Sequence, residues 1–176
     1  MAHYGFGMRV IATGRRPLGD LEMSEGCSFE QIASAYGLEL YTTDADAVLR
    51  QADALSIHLP ATPETRHFID ARRLSLMKPG ARLINTSRGP VVDEDALYDA
   101  LAQGRLAGAG LDVFETEPYA PASPGKDLRA LENTVLTSHI GSNTREANER
   151  MARACLDNIA KFFAGRTEEM SRGDGV

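Results

Sequence analysis

Three side chains that can act on a polar ligand each stand just after an apolar run of the sequence. The guanidinium of Arg88 can hold a planar carboxylate through two hydrogen bonds. His139 can serve as a general acid near neutral pH, and a carboxylate such as Glu117 stabilises a protonated imidazole. Gly89 removes side-chain bulk, so that a ligand can approach the backbone. Taken singly, the three also fit a surface arginine, a structural histidine and a solvent-facing glutamate.

The elements that must position these residues alternate between short apolar runs and helical patterns. The runs predict strands over 8–13, 38–41, 54–59, 81–86, 106–114 and 134–137, and the other patterns predict helices over 28–37, 44–51, 70–77, 93–104 and 144–164. This alternation predicts βαβ units, right-handed crossovers and a mostly parallel sheet. Ligands bind such sheets at the carboxyl ends of the strands, and the three candidate side chains all follow predicted strand ends.

Composition excludes several classes of protein. The 176 residues match one domain, and 43% hydrophobic with 25% charged residues argues against wholesale disorder. A net charge of −6 argues against a nucleic-acid partner or an anionic membrane surface, and no apolar run is long enough for a membrane span. Cys27 and Cys155 are too far apart for metal-type spacing, so we expect reduced thiols, no metal site and a cytoplasmic location.

The residues around the candidate side chains carry a family resemblance. The matching stretches, in order, are Gly5-Phe6-Gly7-Met8-Arg9-Val10, Ser56-Ile57-His58-Leu59-Pro60, Met77-Lys78-Pro79-Gly80-Ala81, Asn85-Thr86-Ser87-Arg88-Gly89, Ala107-Gly108-Ala109-Gly110-Leu111-Asp112-Val113-Phe114, Glu117-Pro118 and Thr137-Ser138-His139-Ile140-Gly141-Ser142. This combined pattern resembles the NAD(P)-binding domain of the D-isomer-specific 2-hydroxyacid dehydrogenases, which is a Rossmann-like, doubly wound α/β domain. Within that family, the chain is most similar to the glyoxylate and hydroxypyruvate reductases.

The resemblance implies a catalytic trio and a set of cofactor contacts. Arg88 would hold the small 2-oxo acid, His139 would donate a proton to its carbonyl oxygen, and Glu117 would keep the imidazole protonated. The implied cofactor-binding residues are Arg15, Leu59, Pro60, Thr65, Thr86, Ser87, Arg88, Asp112, His139, Gly141 and Ser142. The family also implies a homodimer in the full-length form.

Two positions depart from the family pattern. Ser138 replaces the usual proline before the catalytic histidine, which we expect to loosen the turn slightly. Gly14-Arg15-Arg16 stands where NAD-preferring members place an acidic residue for the ribose 2′-hydroxyl. An arginine here can accept a 2′-phosphate, so NADP is favoured over NAD, with a plain solvated turn as the alternative.

The resemblance also predicts what lies outside this sequence. The glycine fingerprint and the first strand of the family are not found ahead of residue 8, so residues 1–164 predict a partial NAD(P)-binding domain, 165–176 a polar tail, and the substrate-binding domain is absent. Without that central strand, the strands at 8–13 and 54–59 each lose a neighbour, and we expect a marginally stable or self-associating chain. The alternatives are a non-catalytic NAD(P)-binding or regulatory fragment and a truncated, inactive remnant.

Overall fold

The computed structural model of the chain describes residues 2–171 and alternates helices with short parallel strands. The helices are α1 (Ala2–Phe6), α2 (Leu18–Glu25), α3 (Phe29–Tyr36), α4 (Ala45–Leu49), α5 (Ala71–Leu76), α6 (Glu94–Ala102) and α7 (Arg145–Phe163). The strands are β1 (Val10–Thr13), β2 (Leu38–Thr42), β3 (Ala54–Ile57), β4 (Arg82–Asn85), β5 (Gly108–Leu111) and β6 (Thr134–Leu136). Short 3-10 turns lie at Gly89–Val91, Leu128–Ala130 and Thr167–Glu169. The predicted α/β class is confirmed.

The strands form two separate parallel sheets. One sheet is the pair β1-β2, and the other has the order β3-β4-β5-β6. Within residues 2–171, no strand pairs with the second edge of β1 or of β3. The division therefore falls where the sequence predicts it for a doubly wound sheet without its central strand.

Local sequence signals set the helix ends in the first third of the chain. The Ser28 hydroxyl accepts a hydrogen bond from the Gln31 amide, and the Gln31 side chain bonds back to the Ser28 amide at 2.8 Å. This capping box starts α3, and Gly37 ends it with a φ of 65°. Gly7, with a φ of 64°, directly follows Phe6, the last residue of α1.

The hydrophobic core lies between the four-stranded sheet and the helices α5 and α6. Leu83 of β4 and Leu97 of α6 are fully buried, and Leu111 of β5 is 4% exposed. Burial of each such side chain contributes roughly 1.5–3 kcal/mol to stability. Every residue that the structure describes as buried lies between Val48 and Leu128. The core therefore lies in the part of the molecule around the four-stranded sheet.

Several predicted boundaries were wrong. The strand predicted over 54–59 ends at Ile57, so Leu59 and Pro60 lie in the following loop. The strand predicted over 106–114 is only Gly108–Leu111, because pairing with β6 stops there. The helix α2 was missed, since Pro17 precedes it without a side-chain cap and Gly19 weakens its start.

The last helix, α7, occurs where the sequence predicts it, but its apolar side is open. Met151 is 54% exposed and Phe162 is 60% exposed, and the part of α7 that the structure describes has no buried residue. Near its end, the Asn158 side chain exchanges two hydrogen bonds with the backbone of Ser171. The remainder of the predicted polar tail, 172–176, lies outside the described residues. No helix in the described range 2–171 is both long and apolar enough to cross a bilayer.

Candidate active site

The structure brings His139 and Glu117 together. Nδ1 of His139 lies 2.8 Å from Oε2 of Glu117, and the two side chains are 43% and 38% exposed. This hydrogen bond holds the pKa of the Glu117 carboxyl below its ordinary value, against the opposing effect of partial burial. The amide of Phe114 donates to the other carboxylate oxygen at 3.1 Å and acts in the same direction. The result is a histidine with an anionic partner on one ring nitrogen, Nδ1.

Asp112 fixes the backbone that carries the histidine. Its Oδ1 accepts hydrogen bonds from the His139 amide, at 3.1 Å, and from the Thr137 hydroxyl. His139 itself has a φ of 54°, a left-handed conformation that is uncommon for residues other than glycine. Asp112 comes directly after β5, so the loop after one strand holds the turn that follows the neighbouring strand β6.

The turn that carries Arg88 is built around a buried asparagine. Asn85, fully buried at the end of β4, accepts hydrogen bonds from the amide and hydroxyl of Ser87 and donates to the Arg88 carbonyl at 3.0 Å. The Arg88 side chain is exposed, and its Nη1 donates to the Ser87 carbonyl at 2.7 Å. Within the described residues, no hydrogen bond or ion pair joins Arg88 to Glu117 or His139. Arg88 therefore shares the sheet edge with the pair without contacting it, which leaves its charge available to a ligand.

The interpretation of Gly89 as a ligand approach was wrong. Gly89 is buried, and a Cβ atom added there would lie 1.9 Å from the carbonyl carbon and oxygen of Phe114. The backbone of the loop after β5 already occupies this space. Glycine is required because two site loops pack directly on each other.

The loop after β3 holds three of the predicted cofactor residues. Thr65 is 3% exposed, and its hydroxyl donates to the Pro60 carbonyl at 2.6 Å and accepts from the Thr62 amide at 2.8 Å. These bonds engage Thr65 within its own loop. Leu59 and Pro60 are half-buried, and Leu59 packs against the core.

The other predicted cofactor residues lie at the exposed strand ends. Thr86 is exposed between Asn85 and Ser87. Gly141 and Ser142 are exposed in the loop ahead of α7, and a Cβ added at Gly141 would lie 4.0 Å from a carboxylate oxygen of Asp112. The structure thus gathers these residues on loops at the same edge of the four-stranded sheet.

Arg15 lies on the other sheet, at the carboxyl end of β1. Gly14, Arg15, Arg16 and Tyr41 line an open cleft of about 450 Å³, where the Tyr41 hydroxyl donates to the Arg16 carbonyl at 2.7 Å. The pKa of the Glu64 carboxyl is lowered, chiefly by a hydrogen bond from Thr62 and its own amide, and the Arg15 charge adds to this effect. Arg15 is therefore close enough to the loop after β3 to act on it electrostatically.

Sequence reasoning missed two residues that organise this site. Asn85 was visible as a polar residue at the end of an apolar strand, a position typical of a buried polar anchor. Glu115 stands two positions before Glu117, and its side chain contacts Arg66, His67 and Glu94. No spacing rule predicts those contacts, because their partners lie at least 21 positions away in the sequence.

Comparison with curated proteins identifies close relatives. The chain is 45% identical over 161 residues to a glyoxylate reductase of Thermococcus litoralis, covering 92% of this chain and 44% of that protein. It is 41% identical to a glyoxylate/hydroxypyruvate reductase B of Enterobacter agglomerans, covering 96% and 47% respectively. The chain thus spans somewhat less than half the length of these relatives.

Solved structures share the fold. A D-isomer-specific 2-hydroxyacid dehydrogenase of Xanthobacter autotrophicus Py2, in complex with NADPH and MES, is 35% identical with a TM-score of 0.65, covering 93% of this chain and 60% of that one. A D-lactate dehydrogenase of Aquifex aeolicus, complexed with NAD and lactic acid, is 36% identical with a TM-score of 0.71, covering 93% and 48%.

A family model extends this agreement over most of the sequence. Residues 1–141 match the model described as the D-isomer-specific 2-hydroxyacid dehydrogenase, NAD-binding domain. That range contains β1 to β6 and the paired Glu117 and His139. The chain belongs to the D-isomer-specific 2-hydroxyacid dehydrogenase family.

Proposed function

We propose that this chain is the cofactor-binding part of an oxidoreductase that reduces a small 2-oxo acid to a D-2-hydroxy acid with a reduced nicotinamide dinucleotide. The 2.8 Å contact between His139 and Glu117 at the ligand edge of the sheet carries this proposal. The named activities of the relatives support glyoxylate or hydroxypyruvate as the substrate class. The domain extends over 1–164, so that it includes α7.

Each member of the trio has a distinct role in this proposal. Arg88 binds the substrate carboxylate and its 2-oxo oxygen, because its exposed guanidinium can form two parallel hydrogen bonds. His139 donates the proton that the 2-oxo oxygen gains, and its Nδ1 bond to Glu117 leaves Nε2 to face the substrate. Glu117 stabilises the imidazolium and orients the ring. The dinucleotide, when bound, supplies the hydride that the carbonyl carbon gains.

The cofactor contacts follow from the same edge. The loops that follow β3, β4, β5 and β6 carry the residues proposed to contact the cofactor, which are Leu59, Pro60, Thr86, Ser87, Asp112, Gly141 and Ser142. The exposed small residues Thr86, Gly141 and Ser142 in these loops allow a flat ring system to approach closely. Thr65 contributes by holding the Pro60 loop through its 2.6 Å bond.

The cleft at the end of β1 fits NADP better than NAD. Two arginines line it, while Gly14 contributes no side chain, and none of the described residues that line it carries a carboxylate. A 2′-phosphate is an anion that guanidinium groups bind well, whereas a ribose 2′-hydroxyl calls for a carboxylate. Arg15 and Arg16 are therefore the residues that would hold the phosphate.

Two further points complete the proposal. Cys27 and Cys155 are free thiols, which fits a cytoplasmic protein. The full-length form is a homodimer, as the family resemblance implies.

Cofactor titration by calorimetry tests the selectivity. We expect NADPH to bind the wild-type chain more tightly than NADH, and Arg15→Ala to weaken NADPH by roughly 10- to 100-fold, since charged hydrogen bonds contribute about 1.5–3 kcal/mol. The same change should leave NADH affinity unaltered. Arg153→Ala on the exposed helix α7 is the matched control. A wild-type preference for NADH would contradict the NADP assignment.

Turnover tests the catalytic proposal. Where glyoxylate-dependent oxidation of NADPH is measured, His139→Gln should lower kcat by roughly 100-fold or more, because it removes the proton donor. His3→Gln, a histidine of the first helix, should leave kcat unchanged. A chain that binds NADPH without turnover would favour a non-catalytic binding fragment, and one that binds neither cofactor would favour an inactive remnant.

A further inference from the structure

Glu115 connects two other segments of the chain to its own loop. Its Oε2 lies 3.1 Å from Nη2 of Arg66 and 2.9 Å from Nε2 of His67. Its Oε1 accepts from the backbone amide of Glu94, the first residue of α6, at 3.3 Å. The Glu115 side chain is only 14% exposed, so its contacts with His67 and the Glu94 amide are partly shielded from water, whereas the Arg66 side chain is 57% exposed. Charge-assisted bonds in such surroundings hold their partners more firmly than exposed pairs do.

Glu94 completes the arrangement from the opposite side. Its Oε1 accepts from the Glu115 amide at 2.6 Å, so that Glu94 and Glu115 each bond the backbone of the other. Glu94 is 5% exposed, and its Oε2 has no hydrogen-bond partner among the described residues. Burial raises the pKa of the Glu94 carboxyl, and the charges of Glu115 and Asp95 add to this, whereas the hydrogen bond from the Glu115 amide and the nearby His67 oppose it. A buried carboxyl with one oxygen unpaired is costly, which is the pattern found where function rather than stability selects the residue.

The segment that Glu115 holds carries the site. Its neighbour Phe114 packs its carbonyl against Gly89, next to Arg88, and donates its amide to Glu117 at 3.1 Å. A shift of Glu115 therefore moves the carboxylate that pairs with the histidine and the turn that carries the arginine.

The segment that contains Arg66 and His67 has a strained backbone conformation at His67. His67 has a φ of 49°, uncommon for a residue other than glycine, and its amide donates to the Pro90 carbonyl at 2.8 Å. The bond from its ring to Glu115 therefore stabilises a strained turn that lies against the Arg88 turn.

We propose that Glu115 is a positioning residue for the reaction: by binding Arg66, His67 and the start of α6, it sets the distance between Glu117 and His139. This inference rests on the proposed function, because it assigns Glu115 to the same site. Glu115 itself contacts neither His139 nor Arg88 through any hydrogen bond in the described residues. Its effect on the reaction passes through Glu117.

Nuclear magnetic resonance of the His139 ring tests the positioning directly and needs no turnover. In Glu117→Gln, the ring nitrogen resonances of His139 should change, because the carboxylate partner is lost. In Glu115→Gln, they should move in the same direction, while Glu132→Gln, at an exposed acid, should leave them unchanged. A folded Glu115→Gln variant with wild-type His139 resonances would overturn the proposal.

Kinetics provides the second readout. We expect Glu115→Gln to lower kcat by roughly 10- to 100-fold with the KM for NADPH almost unchanged, because the catalytic pair is displaced and the cofactor cleft is not. Equal losses in kcat and in the amount of folded protein would indicate a merely structural role and overturn the proposal. A wild-type chain without turnover would refute the proposed function, and the resonance comparison would still decide the positioning.

A second variant covers the case in which Glu115→Gln does not fold. His67→Asn removes one partner of the carboxylate, and asparagine tolerates the left-handed backbone of His67. It should shift the His139 resonances in the same direction by a smaller amount. Unchanged resonances in a folded His67→Asn chain would count against the proposal.

Discussion

The two sheets are built from the same kind of parallel strands, yet they differ in what supports them. The four-stranded sheet encloses residues such as Leu83 and Leu97 that are fully buried. In the described part of the chain before Val48, which contains β1, β2 and α3, no residue is buried. The part built on the four-stranded sheet, called the buried half below, has a core, whereas the part built on β1 and β2, called the exposed half, has only partly buried and exposed side chains among its described residues.

The two sheets also carry residues with different proposed roles. The residues proposed for chemistry stand on loops of the buried half, where Asp112 ties the His139 turn to the end of β5. The arginines proposed for cofactor selection stand on the exposed half, in an open cleft. Chemistry requires side chains held to within a fraction of an ångström, whereas a guanidinium can follow a phosphate through its flexible stem. The comparison predicts that mutations around the four-stranded sheet and mutations around β1 and β2 will have different effects on stability and turnover.

The largest effect is expected from truncating a core side chain. Leu97→Ala should lower the free energy of unfolding by about 2–5 kcal/mol, because it leaves a cavity beneath the sheet. Leu40→Ala, at a strand residue of β2 that is 40% exposed, should cost less than about 1 kcal/mol. Urea denaturation followed by circular dichroism measures both. Equal losses would show that the two-stranded sheet contributes to the same cooperative unit.

Adding one methyl group at a glycine should have opposite effects on stability in the two halves. Gly89→Ala should destabilise the chain by roughly 1–3 kcal/mol and reduce turnover, because the new Cβ would meet the Phe114 carbonyl at 1.9 Å. Gly19→Ala, in α2, meets no atom of the described residues within 4 Å and should be neutral or stabilise by up to about 1 kcal/mol. Thermal denaturation gives the comparison, and a Gly89→Ala chain as stable as wild type would refute the close packing of the two loops.

Hydrogen exchange resolves the comparison strand by strand. Amides of β4, paired on both sides with β3 and β5, should open only with global unfolding. Amides of β1, which within the described residues is paired on one side only, should exchange with an opening free energy close to zero. Mass spectrometry of peptic fragments provides both rates. Similar protection in β1 and β4 would show that another segment or a second copy covers the open edge.

The sequence predicts the features that depend on neighbouring residues. The start of the helix at Ser28, the order of the six strands along the chain, and the division between β1 and β3 were all predicted, because helix starts and periodicity depend on neighbouring residues. The pairing of His139 with Glu117 agrees with the geometry that the family resemblance implies.

The sequence does not predict what depends on contacts between distant loops. Gly89 serves the packing of Phe114, and Glu115 serves Arg66 and His67, although neither partner is near in sequence. The true strand ends were also missed, because pairing with a neighbour decides them and apolar runs continue beyond them. In helix α7, the spacing correctly predicts a helix, but the burial that its apolar side suggests is not found, because none of its described residues is buried.

The smallest effect is expected at the junction of the two halves, where Asp46 of α4 binds Arg72 and Arg73 of α5 at 2.6 and 3.2 Å. The Arg72 hydrogen bond, with Arg73 adding, lowers the pKa of Asp46 to about 2 from an ordinary value of 3.8. Because the folded-state pKa is the lower one, the stabilising effect is fully present above about pH 4 and is lost as the pH falls through about 2. The stability gap between wild type and Asp46→Asn should therefore close over that window.

The partner variant makes this pH dependence diagnostic. Arg72→Gln removes the main cause of the lowered pKa, so its stability gap to wild type should close over the same range of pH. The double variant should cost less than the sum of the single ones, because both changes remove one interaction. Helix α4 contacts both β1 and α5, so it joins the exposed half to the core. If the stability difference between variant and wild type stays constant with pH, the ion pair does not stabilise this junction. The exposed half would then depend on the core through apolar contacts alone.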